Sequence, residues 1–286
     1  MKLLINTKPF SFRLTRPLKT SNDIITKKTG WLLYLKDSYG QYGWGEVAPL
    51  NINELRTCER ILNSLGSNLK KESIENDLPE LPSSLAFGLG ASLAELDRLN
   101  EKNNFDWPES PRSSFLLPTD TYPLESLIKY IKKSNNKRGS YTIKWKVSNQ
   151  ENHINEKKIL KEILTILPEN YKLRIDPNGG WSKKEASEWI NELKDEPRLE
   201  WIEQPLPAQD IKGLLSLANQ VPIALDESLV EFPYLRKTWK SWQIRRPALD
   251  GDPRLLLEEL DQGGSHIVIS SAFETGIGRR WINYLA

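Results

Sequence analysis

Five short apolar segments recur in the second half of the chain, and each ends in a polar residue followed by a turn. They read YTIKWKV, KLRIDPNGG, LEWIEQPLP, PIALDES and WQIRRPALDG, with ends spaced roughly 20 to 30 residues apart. Two parallel strands need a crossover of about a dozen residues or more, usually a helix, so each interval has room for one βα unit. Successive units of this kind predict a β/α barrel.

Helix signals lie in the intervals between these segments. Ser182 and Glu185 form a capping-box pattern ahead of an apolar periodicity. Asp252 followed by Pro253 places an N-cap and an N1 proline before a leucine-rich run. We also predict a first barrel strand at 114–117 and a seventh at 265–271.

The N-terminal third has a different pattern, which predicts an α+β unit. Residues 10–14, 30–36 and 41–47 resemble antiparallel strands, and the last two are separated by the hairpin-turn sequence DSYG. Helical patterns follow at 53–65 and 83–99, and the polar segment 71–82 between them is predicted to be a surface loop. The domain prediction is therefore a capping domain at 1–110 and a barrel domain at 111–286.

Composition limits the classes of partner. The chain has 286 residues, of which 40 are basic and 38 acidic, and its formal net charge is +2. This nearly balanced charge does not indicate binding to nucleic acid or to a membrane surface. The single cysteine, Cys58, fits a reducing compartment. No run reaches the length of a membrane span, and the first residues lack the apolar core of a signal peptide, so we expect a cytoplasmic protein.

The polar residues at the strand ends suggest a metal-assisted site. Residues two apart on a strand face the same side, so Lys144 and Lys146 are expected to point into the barrel together. Asp176, Glu203 and Asp226 end three later strands, at the edge where barrel active sites lie. Carboxylate oxygens suit a hard cation such as Mg²⁺, and a lysine near a second amine and a cation can act as a base. The set predicts removal of a proton α to a carboxylate.

These residues and their flanking sequences resemble a known superfamily. The motifs are Lys144-x-Lys146, Asp176-Pro177-Asn178, Glu203-Gln204-Pro205, Asp226-Glu227-Ser228 and Ile269-Ser270-Ser271. They resemble the enolase superfamily and its muconate-lactonizing subgroup, and the N-terminal sequence GWGEVAPL is similar to that subgroup's capping-domain signature. Within the subgroup, the sequence is most similar to the o-succinylbenzoate synthase family.

The resemblance implies a fold, an activity and a set of site residues. The fold would be a (β/α)7β-type barrel with an N-terminal α+β capping domain, and the activity a Mg²⁺-dependent dehydration of a small dicarboxylate in menaquinone or phylloquinone biosynthesis, with Mn²⁺ a possible substitute. Lys146 would be the base, with Lys144 and Arg246 as fixed catalytic cations. The remaining residues carried over are the metal ligands Asp176, Glu203 and Asp226, their neighbours Asn178 and Glu227, and the substrate contacts Ser21, Ser270 and Ser271.

One departure from the subgroup pattern bears on the activity. The subgroup usually has a lysine where this chain has Arg246, and arginine does not lose its proton in proteins. A racemase or epimerase needs a base on each face of its substrate, whereas a dehydratase needs only one. Arg246 therefore favours the synthase, and a one-base cycloisomerase or racemase remains the alternative.

A second departure concerns the end of the barrel. After Ser271 we predict only one more helix, at 274–285, where the family continues through an eighth strand. A barrel lacking its last strand could be a decayed one retained for binding, although the base and all three carboxylates are present. Ordinary structural roles also stay open, because Asp226 could cap the next helix, Glu203 could bond turn amides, and the two serines could be caps.

Overall fold

The computed structural model describes residues 1–19, 24–97, 107, 109, 111–118, 123–134, 139–147 and 153–286. The chain forms two compact units, one of residues 1–111 together with 245–286 and one of residues 112–244. The first unit therefore combines the predicted capping domain with the last 42 residues of the chain. The assignment of all of 111–286 to one barrel domain stays a prediction.

The first unit contains a four-stranded antiparallel sheet of order β3-β2-β1-β4. Its strands are β1 (Lys2–Lys19), β2 (Ile24–Asp37), β3 (Tyr42–Val47) and β4 (Asn68–Lys70). Its N-terminal helices are α1 (Ile52–Ser64), α2 (Lys71–Asp77) and α3 (Ser83–Leu96). The three predicted strands are present, but β1 and β2 are longer than the sequence pattern suggested because their outer positions are polar.

Glycines on β3 allow α3 to pack directly against the sheet. A Cβ atom at Gly43 would lie 2.0 Å from the carbonyl oxygen of Ser92, and one at Gly45 would lie 1.9 Å from that of Gly88. Neither approach is possible for a residue with a side chain. The glycines of the GWGEVAPL sequence therefore set the distance between β3 and a helix that is buried along most of its length.

The expectation of a surface loop at 71–82 is wrong. This segment forms α2 and a 3₁₀ turn at Leu78–Glu80. Ile74 and Leu78 are four residues apart, so they share one face of the helical segment and are both buried in the core of the first unit. The many polar residues around them concealed this short apolar face.

The second half of the chain alternates strands and helices, as the spacing predicted. The strands are β5 (Phe115–Leu117), β6 (Tyr141–Lys146), β7 (Tyr171–Asp176), β8 (Leu199–Glu203), β9 (Ile223–Leu225), β10 (Trp242–Arg245) and β11 (Ile267–Ile269). The helices are α4 (Pro123–Ser134), α5 (His153–Ile166), α6 (Lys183–Leu193), α7 (Ile211–Ala218), α8 (Glu227–Glu231), α9 (Leu235–Thr238), α10 (Pro247–Asp250), α11 (Pro253–Asp261) and α12 (Gly276–Leu285).

The seven strands form one sheet of order β11-β10-β9-β8-β7-β6-β5. The recorded ladders from β5 to β10 are all parallel. Within the described residues the sheet contains seven strands, with β5 and β11 at its edges, and the eighth strand of a complete barrel is not among them. None of the helices among the described residues is long and apolar enough to cross a membrane.

The core of the second unit lies between the strands and the helices. On β6 the side chains of Tyr141, Ile143 and Trp145 are buried in this core. Trp145 packs near Trp189 of α6, with 6.2 Å between ring centroids. Because side chains alternate along a strand, burial of these three residues directs Lys144 and Lys146 to the opposite face.

Glu46, at the end of β3, holds the N-terminus of α12. Its carboxylate accepts hydrogen bonds from the backbone N–H groups of Thr275, at 2.9 and 3.0 Å, and of Gly278, at 3.0 Å. Thr275 is the N-cap of α12 and accepts a bond from Ile277 N. A buried carboxylate at this point satisfies helix donors that have no partner within the helix and also opposes the positive end of the helix dipole.

We expect Glu46→Ala to lower the free energy of unfolding by about 2 kcal/mol, the usual range for losing hydrogen bonds to a charged group. Chemical denaturation measures the difference. Glu59→Ala is the matched control, because Glu59 is exposed in the same unit, and it should change stability by less than about 0.5 kcal/mol. Equal stability of the two variants would contradict the assigned role of Glu46.

Candidate active site

The candidate site is built from the C-terminal ends of neighbouring parallel strands. Lys146, Asp176 and Glu203 are the last residues of β6, β7 and β8, and Asp226 directly follows β9. Lys146 is paired in register with Asp176, and Glu203 with Ala224. The three carboxylates thus lie on consecutive strands at one edge of the sheet, and they are at most 1% exposed.

The Lys144 ammonium lies between two of these carboxylates. Its Nζ donates to both oxygens of Glu203 at 2.7 Å and forms an ion pair with Asp176 Oδ2 at 2.8 Å. Lys144 is two residue pairs below the end of β6, which allows its long side chain to reach up to the two acids. A single cation therefore compensates two carboxylates that are almost completely removed from water.

The pKa values of this cluster are shifted toward the charged forms. Burial by itself would lower the pKa of Lys144, but Glu203 and Asp176 outweigh it and hold the pKa well above its usual value. Burial would likewise raise the pKa of Asp176, and here Lys144 and Lys146 reverse the direction and lower it. The expectation that a lysine of this pair is easily deprotonated therefore does not apply to Lys144, whose environment keeps it a permanent cation.

Lys146 has a different environment from Lys144. Its side chain is 42% exposed, and its Nζ is 3.7 Å from Asp176 Oδ2 and donates to Asn178 Oδ1 at 3.0 Å. Asn178 also donates from Nδ2 to Glu227 Oε1 at 3.3 Å, and its backbone N–H bonds Asp176 Oδ1 at 2.9 Å. The amide of Asn178 thus connects the exposed amine to Glu227. These contacts leave Lys146 accessible to a bound small molecule.

Among the bonds described, Asp226 and Glu203 do not act as helix caps or turn acceptors. Asp226 occupies the N-cap position of α8 but makes no capping bond from its side chain, and its backbone is not helical. Glu203 accepts from the Lys144 ammonium rather than from turn amides among the bonds described. The structure therefore gives no support to the capping alternatives for these two residues.

Asp176, Glu203 and Asp226 offer carboxylate oxygens, which are the type of ligand that a hard divalent cation prefers. This donor set consists of carboxylates alone, and Asp176 Oδ2 is buried and accepts no hydrogen bond of normal geometry, although it forms ion pairs with Lys144 and Lys146. In the described part of the chain, however, no three acidic, histidine or cysteine side chains come close enough together to hold an ion. The Lys144 ammonium occupies the position at which Asp176 and Glu203 could share a metal ion. A common metal ion for Asp176, Glu203 and Asp226 therefore stays a prediction.

A second polar layer, which the sequence did not reveal, lies below this cluster. Arg174 pairs with Lys144 across β6 and β7, and its guanidinium carbon is 3.8 Å from the ring centroid of Trp201. Arg174 Nε also donates to Glu200 Oε2 at 2.7 Å. Trp201 in turn packs on Trp242, with ring centroids 4.6 Å apart. Alternation along β7 and β8 indicated which face these residues occupy, but not their stacking.

The other predicted residues are not brought into this cluster by the described contacts. Arg246 follows β10 at the N-cap position of α10, and Ser270 and Ser271 follow β11. Ser270 N donates to the carbonyl oxygen of Arg245 at 2.8 Å. Ser21 lies outside the described residues. The roles of these four residues in the site stay predictions.

Comparison with known families and solved structures identifies the class of fold. Residues 127–242 match the family described as enolase C-terminal domain-like. The crystal structure of o-succinylbenzoate synthase from Thermosynechococcus elongatus BP-1, complexed with Mg in the active site, superposes with a TM-score of 0.83 at 31% identity over 99% of this chain and 88% of that one. The L-Ala-D/L-Glu epimerase of Bacillus subtilis shares the fold, with a TM-score of 0.73 at 20% identity. The predicted enolase-superfamily fold is confirmed.

Curated relatives define the family more closely. The o-succinylbenzoate synthase of Thermosynechococcus vestitus is 33% identical over 285 residues, which cover 95% of this chain and 85% of the relative. The chloroplastic protein PHYLLO of Arabidopsis thaliana is 26% identical over 88% of this chain, a match that covers 17% of PHYLLO. The chain belongs to the o-succinylbenzoate synthase family of the enolase superfamily.

Removing the Lys144 amine should leave the buried carboxylates of Asp176 and Glu203 without the cation that they share. We expect Lys144→Met to lower the free energy of unfolding by about 3 kcal/mol, the cost of breaking a buried ion pair by removing one partner. Urea denaturation in a chelating buffer measures it. The control is Lys172→Met, because Lys172 donates to the carbonyl oxygen of Pro197 and not to an acid. A loss no larger than in the control would contradict the proposed charge balance.

Proposed function

We propose that this chain is a metal-dependent lyase that dehydrates 2-succinyl-6-hydroxy-2,4-cyclohexadiene-1-carboxylate to 2-succinylbenzoate. The observation that carries the proposal is the 33% identity to an o-succinylbenzoate synthase over 95% of the chain. The placement of Lys146 beside Asp176 and Asn178 supports it. The substrate is a small dicarboxylate, and the reaction would belong to menaquinone or phylloquinone biosynthesis in the cytoplasm.

The reaction needs one base, and Lys146 has the accessibility that the role requires. In its neutral form, the amine takes the proton from the carbon that bears the ring carboxylate. The resulting ammonium returns that proton to the hydroxyl on the adjacent carbon, which leaves as water while the ring becomes aromatic. One C–H bond and one C–O bond are broken, and no oxidant or second base is required.

The neighbours of Lys146 orient it and balance its charge. Asn178 Oδ1 accepts from the Lys146 amine, which fixes the direction of that amine at the end of β6. Lys144 stays positively charged because two carboxylates surround it. It can therefore neutralise a substrate carboxylate without competing as a base. Arg246, which cannot act as a base, would supply a fixed charge to the substrate.

Asp176, Glu203 and Asp226 would hold Mg²⁺, or Mn²⁺ in its place, with Glu227 and Asn178 orienting these ligands. When bound, the cation supplies fixed positive charge opposite the negative charge that develops on the substrate carboxylate. The o-succinylbenzoate synthase structure from Thermosynechococcus elongatus, which has Mg in its active site, supports this choice of metal. For these acids to bind the ion together, the Lys144 ammonium must leave the space between Asp176 and Glu203.

The test is formation of the aromatic product from the cyclohexadiene substrate with Mg²⁺ present. We expect turnover by the wild type and a loss of roughly 10²- to 10⁴-fold in Lys146→Ala, the usual contribution of a general base. Asp226→Asn should also lose activity, because it removes a charged metal ligand. Ultraviolet absorbance of the product follows the reaction.

Lys172→Ala is the matched control, since it removes a lysine on the neighbouring strand that lies four residue pairs below the pair of Lys146 and Asp176. It should keep nearly the wild-type rate. A folded wild type that forms no product would refute the proposed activity, and a Lys146→Ala variant that retains the full rate would refute the assigned base.

A further inference from the structure

Gln204 connects the loops that follow three neighbouring strands. Its backbone N–H donates to the carbonyl oxygen of Ala224, within β9, at 2.8 Å. Its own carbonyl oxygen accepts from Gly179 N at 2.6 Å, in the loop after β7. Gln204 itself follows Glu203, the last residue of β8. A single residue thus bonds to the loops on both sides of its own strand.

The side chain of Gln204 adds four hydrogen bonds to this connection. Oε1 accepts from the backbone N–H groups of Asp226 and Ser228, both at 3.1 Å. Nε2 donates to the carbonyl oxygen of Leu206 at 3.0 Å and to Ser228 Oγ at 2.8 Å. An amide has two donor hydrogens and two acceptor sites, so its capacity is used completely. Gln204 is fully buried.

The backbone of Gln204 shows that the surroundings impose its position. Its φ is +38°, in the left-handed region that residues with side chains rarely adopt. Such a conformation persists only where neighbouring interactions hold it in place, and it is frequent at functional sites. The six bonds of Gln204 supply that constraint. They also keep Glu203 at the strand end, immediately before the change in chain direction.

We propose that Gln204 is a positioning residue for the carboxylates that bind the metal ion. Each proposed ligand lies where one of the three connected loops begins. Asp176 and Glu203 are the last residues of β7 and β8, and Asp226 follows β9 and donates its backbone N–H to Gln204. Gln204 touches neither substrate nor metal and acts through the backbone that carries the acids. The inference rests on the metal site of the proposed function.

The physical basis is the sensitivity of Mg²⁺ to ligand geometry. The ion requires a nearly octahedral arrangement of oxygens at short distances, so a small rotation of the Asp226 backbone weakens binding. Groups that orient metal ligands without touching the ion typically contribute about 10- to 100-fold in metal affinity. Gln204 bonds the peptide of one proposed ligand and directly follows another.

Isothermal titration calorimetry with Mg²⁺ alone tests the proposal on the intact chain without substrate. We expect Gln204→Met, which keeps the length of the side chain and removes its bonds, to weaken Mg²⁺ binding by at least about 10-fold. The matched control is Gln243→Met. Gln243 is also a buried glutamine, and its Nε2 donates to the carbonyl oxygens of Arg236 and Trp239, away from the acids.

A role in stability alone would lower the melting temperature of both variants and leave their Mg²⁺ dissociation constants unchanged, which would overturn the proposal. If Gln204→Met does not fold, Ser228→Ala removes only one partner of the same amide. It should weaken Mg²⁺ binding about threefold or more, and unchanged affinity there would also overturn the proposal. A wild type that binds Mg²⁺ but forms no product refutes the proposed activity and leaves the Gln204 comparison valid.

Discussion

Burial of several carboxylates at neighbouring strand ends is the constraint on which the rest of the site depends. Asp176, Glu203 and Asp226 are almost completely removed from water, and a buried negative charge is costly unless a cation or hydrogen bonds compensate it. Lys144 supplies one such cation, at 2.7 to 2.8 Å from two of the acids. The cluster is therefore stable only when positive charge lies among these oxygens.

The surrounding structure divides the two lysines of β6 into different roles. Lys144 is enclosed by carboxylates and is held in its charged form, whereas Lys146 is exposed and bonded to the neutral amide of Asn178. Two residues of the same type, two positions apart on one strand, thus have different environments, and the proposed function assigns them the roles of fixed cation and base. The hydrogen bonds of Gln204 join the segments that follow the strand ends where the acids lie.

The sequence predicted the order of strands and helices in the second half of the chain and the strand-end position of each acid, because apolar runs and turns are local signals. It did not predict α2, whose buried face consists of only Ile74 and Leu78. Nor could it reveal that Lys144 lies between Asp176 and Glu203, because that depends on side-chain conformations across three strands. The left-handed backbone of Gln204 was equally hidden, since glutamine gives no local signal for it.

The central claim is that three acids from consecutive strands bind one divalent ion. A crystal structure of the wild-type chain with Mn²⁺, whose anomalous scattering locates the ion directly, tests this claim. The account predicts one peak at roughly 2.0 to 2.3 Å from oxygens of Asp176, Glu203 and Asp226, with the Lys144 amine displaced from between the first two. An ion bound elsewhere, or a Lys144 amine that keeps its place between the acids at saturating Mn²⁺, would contradict it.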